Sequence, residues 1–230
     1  MRTIGLIHGM SPASTVDFYQ RLNDKVTQQL GGHESAELLM ASVNFAVIER
    51  CVRTRAWDEM ADYLAGKGRA LERAGADFLV IGSNTGHQGA SAVEAATSIP
   101  FIHIADVVAD AAREVEATTL GLLGTTPVME GDFYRDRLAR RGLKVIIPPP
   151  ADRELVNRIV FDELTKGVFA DSTRAELVRV LRDLRAAGAD AVILGCTEFS
   201  LIVGPADVPG IPLLDTTGLH VEAVVRAALA

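Results

Sequence analysis

Short apolar runs alternate with longer segments of helical periodicity along the whole chain. The apolar runs predict buried strands near residues 3–7, 38–43, 77–82, 99–103, 119–123, 144–147, 190–195 and 211–214. The longer segments predict helices near residues 12–30, 56–74, 87–97, 106–116, 127–141, 152–166, 173–187 and 216–228. A polar loop is expected between the second strand and the second helix. Strands that alternate with helices form mostly parallel sheets covered by helices, so we expect an α/β fold.

One pattern occurs twice in the chain. Residues 74–85 and 187–198 both begin Ala-Gly-Ala-Asp, continue as an apolar strand and end in a glycine followed by polar residues. The two copies place Ser83 and Cys196, 113 residues apart, at the same point of the pattern. Three further pairs of segments keep nearly the same offset: 3–7 with 119–123, 17–19 with 132–134, and 99–100 with 211–212.

The repeat predicts two homologous α/β halves, residues 1–116 and 117–230, with a C-terminal helix that could cross over to the first half. Each half should be a mostly parallel sheet covered by helices. We expect a pseudo-twofold axis to relate the halves, so that Ser83 and Cys196 flank one cleft, which would be the active site.

Composition narrows the function to small-molecule chemistry. The chain has 230 residues, 48% of them hydrophobic, and a net charge of −7 at pH 7 without a basic run, which argues against nucleic acid and anionic membrane as partners. No apolar run or signal peptide indicates a membrane or secreted protein, so we expect a cytoplasmic location. Of the two cysteines, Cys51 is expected to be an apolar core residue, and no spacing suggests a metal site.

Reactive and polar side chains follow the predicted strands. Ligands bind at the carboxyl ends of strands in open α/β sheets, where Cys196 and Ser83 should lie. A thiolate can act as a base when backbone N–H groups and a following helix lower its pKa from about 8.5. Residues 197–199 could start such a turn. Uncharged donors that suit carboxylate oxygens occupy similar positions: Asn84, Thr85, Thr125, Thr126 and Thr197.

These residues resemble the cofactor-independent aspartate/glutamate racemases over the whole chain. Residues 3–11 resemble the opening of that family with its Gly-Gly-Met-Ser motif, which includes Met10, and residues 83–87 and 195–198 resemble its two catalytic motifs. The resemblance implies a two-half α/β fold, usually dimeric, that uses two thiols and neither pyridoxal phosphate nor a metal. It implies that Arg50 contacts the distal carboxylate of the substrate. From its position alone, Glu198 could orient the substrate ammonium group or cap a helix.

The chain departs from this family at three positions. Ser83 stands where the first catalytic cysteine is expected, and a hydroxyl is far less acidic than a thiol, so preferred deprotonation of an L-amino acid by Cys196 is expected. Ser83 could still donate a hydrogen bond or relay a proton from water. His8 replaces a glycine and could add a donor. Thr165 replaces a lysine, with Lys166 one residue late, which leaves aspartate, glutamate and other polar amino acids open as substrates.

Two other functions remain open at this point. A single-cysteine lyase or decarboxylase, resembling arylmalonate decarboxylase, would use one thiol to protonate a carbanion. A non-catalytic amino-acid-binding protein would keep the pocket and bind without exchange of the α-proton. The first alternative, like a racemase, requires turnover that depends on Cys196.

Overall fold

The chain divides into two compact units in a computed structural model that describes all residues, 1–230. The first unit comprises Met1–Ile104 and Thr217–Ala230, and the second comprises Ala105–Thr216. The C-terminal segment therefore belongs to the first unit, although it follows the sheet of the second unit in the chain. No helix has the length and apolar character that crossing a membrane requires.

Each unit contains one four-stranded parallel sheet. The strand order is β2-β1-β3-β4 in the first unit and β6-β5-β7-β8 in the second, so the two topologies are the same. The expected α/β fold class, with its parallel sheets and covering helices, is confirmed. The strands are β1 (Ile4–His8), β2 (Leu38–Ser42), β3 (Phe78–Ile81), β4 (Phe101–Ile102), β5 (Thr119–Gly124), β6 (Lys144–Ile146), β7 (Ala191–Gly195) and β8 (Leu213–Asp215).

Ten α-helices connect and cover the strands. Short 3₁₀ segments occur at Thr85–Gly89, Leu164–Lys166 and Phe199–Leu201, and a π-helical segment at Ile159–Glu163. The α-helices are α1 (Pro12–Leu30), α2 (Phe45–Thr54), α3 (Trp57–Arg73), α4 (Ala90–Ala96), α5 (Ile104–Glu114), α6 (Thr126–Glu130), α7 (Asp132–Arg140), α8 (Pro150–Arg158), α9 (Asp171–Ala186) and α10 (Thr216–Leu229).

The repeated Ala-Gly-Ala-Asp sequence joins a helix to the central strands of each sheet. Gly75 and Gly188 have φ angles of +98° and +100°, which L side chains rarely adopt. The carboxylate of Asp77 then accepts a hydrogen bond from Thr3 N at 2.6 Å. The carboxylate of Asp190 accepts one from Thr119 N at 2.9 Å. In each unit the aspartate of the motif therefore ties the strand that follows it, β3 or β7, to the start of the neighbouring strand, β1 or β5.

Apolar side chains cover both faces of the first sheet. Leu6 packs with Phe18 of α1 and Val224 of α10, whereas the adjacent Ile7 packs with Leu64 of α3. Successive strand residues point to opposite faces, so this alternation places α1 and α10 on one face and α3 on the other. The strands of the second unit are likewise buried, with α8 and α9 contributing to its core.

Three segments differ from the sequence expectations. The expected polar loop after β2 is the helix α2, because Asn44 caps it by accepting from Ala46 N at 3.1 Å and because its apolar residues fall on one buried stripe. The helix expected at 127–141 is broken at Gly131, whose extended backbone (φ −69°, ψ 141°) separates α6 from α7. The helix expected at 152–166 ends in π and 3₁₀ turns.

Candidate active site

Ser83 lies just beyond β3, at the carboxyl edge of the first sheet. Its side chain is largely buried, with 8% of the residue exposed. Its Oγ accepts a hydrogen bond from Gly86 N at 3.2 Å, and its carbonyl oxygen accepts one from Nδ1 of His87 at 2.7 Å. One contact thus holds the side chain of Ser83 and the other holds its main chain, and the hydroxyl keeps its own proton available for donation.

Neighbouring residues complete what we call the serine half-site, defined as Met10, Ser83, Asn84 and Thr85. Met10 and Asn84 are buried, and Thr85 begins the 3₁₀ turn that follows Ser83. A Cβ atom at Gly86 would lie 2.8 Å from Met10 Sδ, so glycine at this position allows the methionine to pack against the turn. The structure therefore brings together four of the residues that the sequence selected.

The imidazole of His8 lies beside this half-site. A Cβ atom at Gly82 would lie 2.0 Å from His8 Cδ2, so the ring packs directly on the glycine that precedes Ser83. Its Nδ1 lies 2.9 Å from Gly9 N and 2.9 Å from Thr15 Oγ1, while its Nε2 is buried without a hydrogen-bond partner. Burial, with a contribution from His220, lowers the pKa of His8 to about 3, so the ring is neutral.

A second group of residues forms the cysteine half-site: Thr125, Thr126, Cys196, Thr197 and Glu198. Cys196 follows β7, with 7% of the residue exposed. Its Sγ donates to Glu198 Oε2 at 3.1 Å, and Thr197 Oγ1 donates to the same oxygen at 2.7 Å. Glu198 is 4% exposed. One buried carboxylate oxygen therefore accepts hydrogen bonds from both the thiol and the neighbouring hydroxyl.

The expected lowering of the thiol pKa is wrong for this structure. Burial raises the pKa of Cys196 well above its usual value, and the negative charge of Glu198 raises it further. Backbone N–H groups of Thr197 and Glu198 favour the thiolate but have a smaller effect on the pKa. A turn does follow Cys196, but it is only the short 3₁₀ turn Phe199–Leu201 and not a longer helix. Cys196 is accordingly a thiol, and Glu198 is placed to accept its proton.

An asparagine that the sequence did not reveal accepts a hydrogen bond from one threonine of the cysteine half-site. Thr125 lies between β5 and α6, and Thr126 is the first residue of α6. The N–H of Thr126 donates to Asn157 Oδ1 of α8 at 2.9 Å. Asn157 is 31 residues away from Thr126 in the chain, and no local pattern marks it.

Arg50 lies on α2, where its guanidinium forms two hydrogen bonds with the carboxylate of Glu59 on α3. Both side chains are 49% exposed. In the second unit, Thr165 donates to Phe161 O at 3.2 Å, and the exposed Lys166 pairs with Asp162. The cation expected to recognise a distal carboxylate is therefore occupied by an acidic residue of the protein itself.

Comparison with known proteins shows the family to which the chain belongs. A sequence profile described as Asp/Glu/Hydantoin racemase matches residues 7–224, which is nearly the whole chain. The chain belongs to this racemase family. The resemblance seen in the sequence motifs is thereby confirmed.

Relatives in the racemase family match over their full length. A broad-specificity amino-acid racemase, RacX of Bacillus subtilis, is 25% identical over 99% of this chain and 98% of its own. The crystal structure of a candidate Asp/Glu racemase from Yersinia pestis is 40% identical, with a TM-score of 0.92 and complete coverage of both chains. An aspartate racemase homologue from Pyrococcus horikoshii, PH1733, is 30% identical with a TM-score of 0.84, also over both whole chains.

The two half-sites occupy equivalent positions of a racemase fold built twice. Ile7 pairs with Ile81 in the first sheet, and Leu123 pairs with Leu194 in the second. Ser83 comes two residues after Ile81, and Cys196 comes two residues after Leu194. Equivalence of the two positions is thus a property of the sheets, whereas the catalytic and binding roles of the residues stay predictions.

Proposed function

We propose that this protein is a cofactor-independent racemase of an acidic amino acid, aspartate or glutamate, in which Cys196 transfers the α-proton of the L enantiomer. The observation that carries the proposal is the Cys196 thiol hydrogen-bonded to a buried carboxylate at a strand end of a racemase fold. A racemase needs proton transfer on both faces of a planar intermediate. We infer that the serine half-site faces the other side of the same substrate.

Glu198 activates the thiol in this proposal. A buried thiolate and a buried carboxylate 3.1 Å apart would repel each other strongly, so the pair should share one proton. The proton passes from Cys196 Sγ to Glu198 Oε2, and the resulting thiolate removes the α-proton of the L substrate. The new thiol and the protonated Glu198 then lie on the same side of a planar carbanion. Thr197 holds the carboxyl group of Glu198 in place through its hydrogen bond to Oε2.

Ser83 is the weaker of the two proton-transfer groups. Its hydroxyl can donate a proton to the carbanion, or pass one on from water, but it cannot become a base comparable to a thiolate. After inversion Ser83 regains its proton from water and Glu198 loses its proton to solvent, which restores both groups. The carbanion formed from an L substrate should therefore return to Cys196 more often than it is protonated on the serine side. An excess of α-proton exchange over inversion is the expected signature of this asymmetry.

Substrate recognition is assigned to the donors of both half-sites. The side chains of Asn84, Thr85, Thr125, Thr126 and Thr197 suit the α-carboxylate. Arg50 suits the distal carboxylate, which would take the place of Glu59 on the guanidinium. Met10 packs against the turn at Gly86 within the serine half-site and limits the size of the substrate.

Proton NMR of the purified protein in D₂O tests the proposal directly. L- and D-aspartate and L- and D-glutamate are each followed for loss of the α-proton signal and, by chiral chromatography, for inversion. We expect exchange and D product from at least one L substrate. Binding without exchange would identify an amino-acid-binding protein, and carbon dioxide release from a malonate derivative would identify a decarboxylase.

Two cysteine variants serve as a matched pair in that experiment. Cys196→Ala should reduce exchange about 10³-fold because the acid-base group is removed. Cys51→Ala removes the other buried thiol, which lies in the apolar core of the first unit, and should leave the exchange rate nearly unchanged. Exchange that survives in Cys196→Ala contradicts the proposed mechanism.

The wider expectations from the sequence are proposed with the activity: a cytoplasmic homodimer that acts on a small molecule without a cofactor or metal. Light scattering of the purified protein measures the oligomeric state. Turnover in the presence of a chelator and of a carbonyl reagent measures any dependence on a metal or on pyridoxal phosphate.

A further inference from the structure

His87 connects two strand ends of the first sheet. Its Nδ1 donates to the carbonyl oxygen of Ser83 at 2.7 Å, and its Nε2 accepts from Ile104 N at 3.1 Å. Ser83 follows β3, whereas Ile104 begins α5 just after β4. With one nitrogen donating and the other accepting, these two contacts define a single neutral tautomer.

Aromatic neighbours hold the imidazole of His87 in place. The ring lies 4.5 Å from the His103 ring and 5.8 Å from the Phe101 ring, measured between centroids, and both contacts are edge-on. His87 is only 2% exposed. A ring fixed by two hydrogen bonds and by packing has little rotational freedom, so it constrains the main chain to which it is bonded.

The cysteine half-site has no equivalent imidazole. The residue 113 positions after His87 is Ser200. There the hydroxyl of Thr216, which begins α10, donates to Leu194 O at 2.8 Å, one residue before the glycine that precedes Cys196. The direct bond from a ring to the carbonyl of the functional residue is therefore specific to the serine half-site.

We propose that His87 is a positioning residue for the serine half-site, acting through the main-chain carbonyl of Ser83 to aim the Ser83 hydroxyl at the substrate carbanion. This inference rests on the proposed racemase function. A weak proton donor depends heavily on alignment, since a displacement of about 1 Å can reduce a rate by about 10²-fold. His87 should therefore control inversion, the step that needs Ser83, and leave α-proton abstraction by Cys196 intact.

Three variants separate this role from a general structural one. His87→Asn retains an amide that can donate to Ser83 O, in the place of Nδ1. His87→Phe retains a ring of similar size and removes both hydrogen bonds. His33→Gln, in an exposed turn of the same unit, is the matched control. Each variant is incubated with the L substrate in D₂O, and the ratio of α-proton exchange to inversion is measured together with the rate of alkylation of Cys196.

For His87→Phe we expect inversion to fall about tenfold or more, while exchange of the L substrate and alkylation of Cys196 change less than about twofold. His87→Asn should lie between this variant and the wild type, and His33→Gln should match the wild type. The same losses of exchange and inversion in His87→Phe and His87→Asn, or no change in either, would overturn the positioning role.

The result also distinguishes this inference from the function on which it rests. A wild-type protein that exchanges none of the four amino acids overturns the proposed racemase, and the role of His87 falls with it. An active wild type whose exchange-to-inversion ratio is unaltered in the His87 variants overturns the positioning role alone. If His87→Phe does not fold, as judged by circular dichroism, the ratio measured for His87→Asn decides between these outcomes.

Discussion

The serine and cysteine half-sites occupy the same place in two sheets of identical strand order, yet they are built from different chemistry. Next to Ser83 the structure has a neutral imidazole, His8, packed on Gly82. In the second sheet Gly124 pairs with Gly195, and Val128 of α6 packs on both glycines. The serine half-site therefore combines a hydroxyl with neighbouring imidazoles, and the cysteine half-site combines a thiol with a carboxylate.

This difference shows that a duplicated fold can keep its framework while the proton chemistry at equivalent positions diverges. The framework depends on hydrogen bonds between neighbouring strands, such as those that Asp77 and Asp190 accept, and these are the same in both sheets. The chemistry depends on one side chain at each strand end and on its immediate neighbours. Because the two enantiomers of a substrate are equally stable, kcat/KM must be the same in both directions of racemisation. The asymmetry can therefore appear only in the rate of α-proton exchange, or in kcat and KM when each is considered separately.

Replacing the carboxylate beside the thiol should have the largest effect. In Glu198→Gln we expect α-proton exchange to fall about 10²-fold, because the amide cannot accept the thiol proton. Glu176→Gln, an exposed change in the same unit, is the control. Exchange in Glu198→Gln equal to that of the wild type would contradict the role of Glu198 as the acceptor of the thiol proton.

Acidification should lower the stability of the first unit, which contains the buried imidazoles of His8 and His220. Burial lowers the pKa of His8 to about 3 and that of His220 to about 4, both below the usual 6.5. Below pH 6.5 the unfolded chain binds protons that the folded protein does not. The free energy of unfolding should then fall by about 2–4 kcal/mol between pH 7 and pH 5 from these two residues.

Urea unfolding at a series of pH values measures this loss of stability. His8→Asn should flatten the pH dependence over this range, since it removes one of the two groups with a lowered pKa. His33→Gln should leave the dependence unchanged. A pH dependence in His8→Asn equal to that of the wild type would show that His8 is not a buried neutral group.

Restoring a thiol in the serine half-site should make the two halves more alike. In Ser83→Cys we expect inversion of an L substrate to rise about tenfold and the exchange-to-inversion ratio to approach one, because a thiol is the stronger acid. NMR in D₂O with chiral analysis gives both quantities. Unchanged inversion would count against two proton-transfer groups on opposite faces of one intermediate.

The smallest effect is expected at the surface pair of α2 and α3. Glu59→Gln should lower KM for aspartate about two- to fivefold, because a half-exposed ion pair is weak and its removal leaves Arg50 available to the substrate. Glu49→Gln, which removes the pair with Arg53 on the same helix, should not change KM. A higher KM in Glu59→Gln would mean that Glu59 orients Arg50 instead of competing with the substrate.

Local pattern was sufficient to predict most of the fold and the strand ends at which the candidate site residues lie. The strand ends at Ser83 and Cys196 were predictable because a buried parallel strand leaves a continuous apolar run that stops at a glycine. The helix α2 was missed because its polar residues are numerous, and its buried stripe is recognised only when Ile48 and Cys51 are seen to face the core. The break at Gly131 was missed because the helical periodicity continues across it.

The sequence by itself determined the repeat, the two parallel sheets, the racemase resemblance and the unequal side chains at positions 83 and 196, since each is encoded by neighbouring residues. Only the tertiary structure decided the states of those side chains. The raised pKa of Cys196, the bond from Asn157 to Thr126 and the bridge of His87 between Ser83 and Ile104 depend on burial and on residues distant in the chain. Desolvation and hydrogen bonding depend on which groups surround a side chain in the folded protein, so their effects cannot be assigned from spacing along the chain.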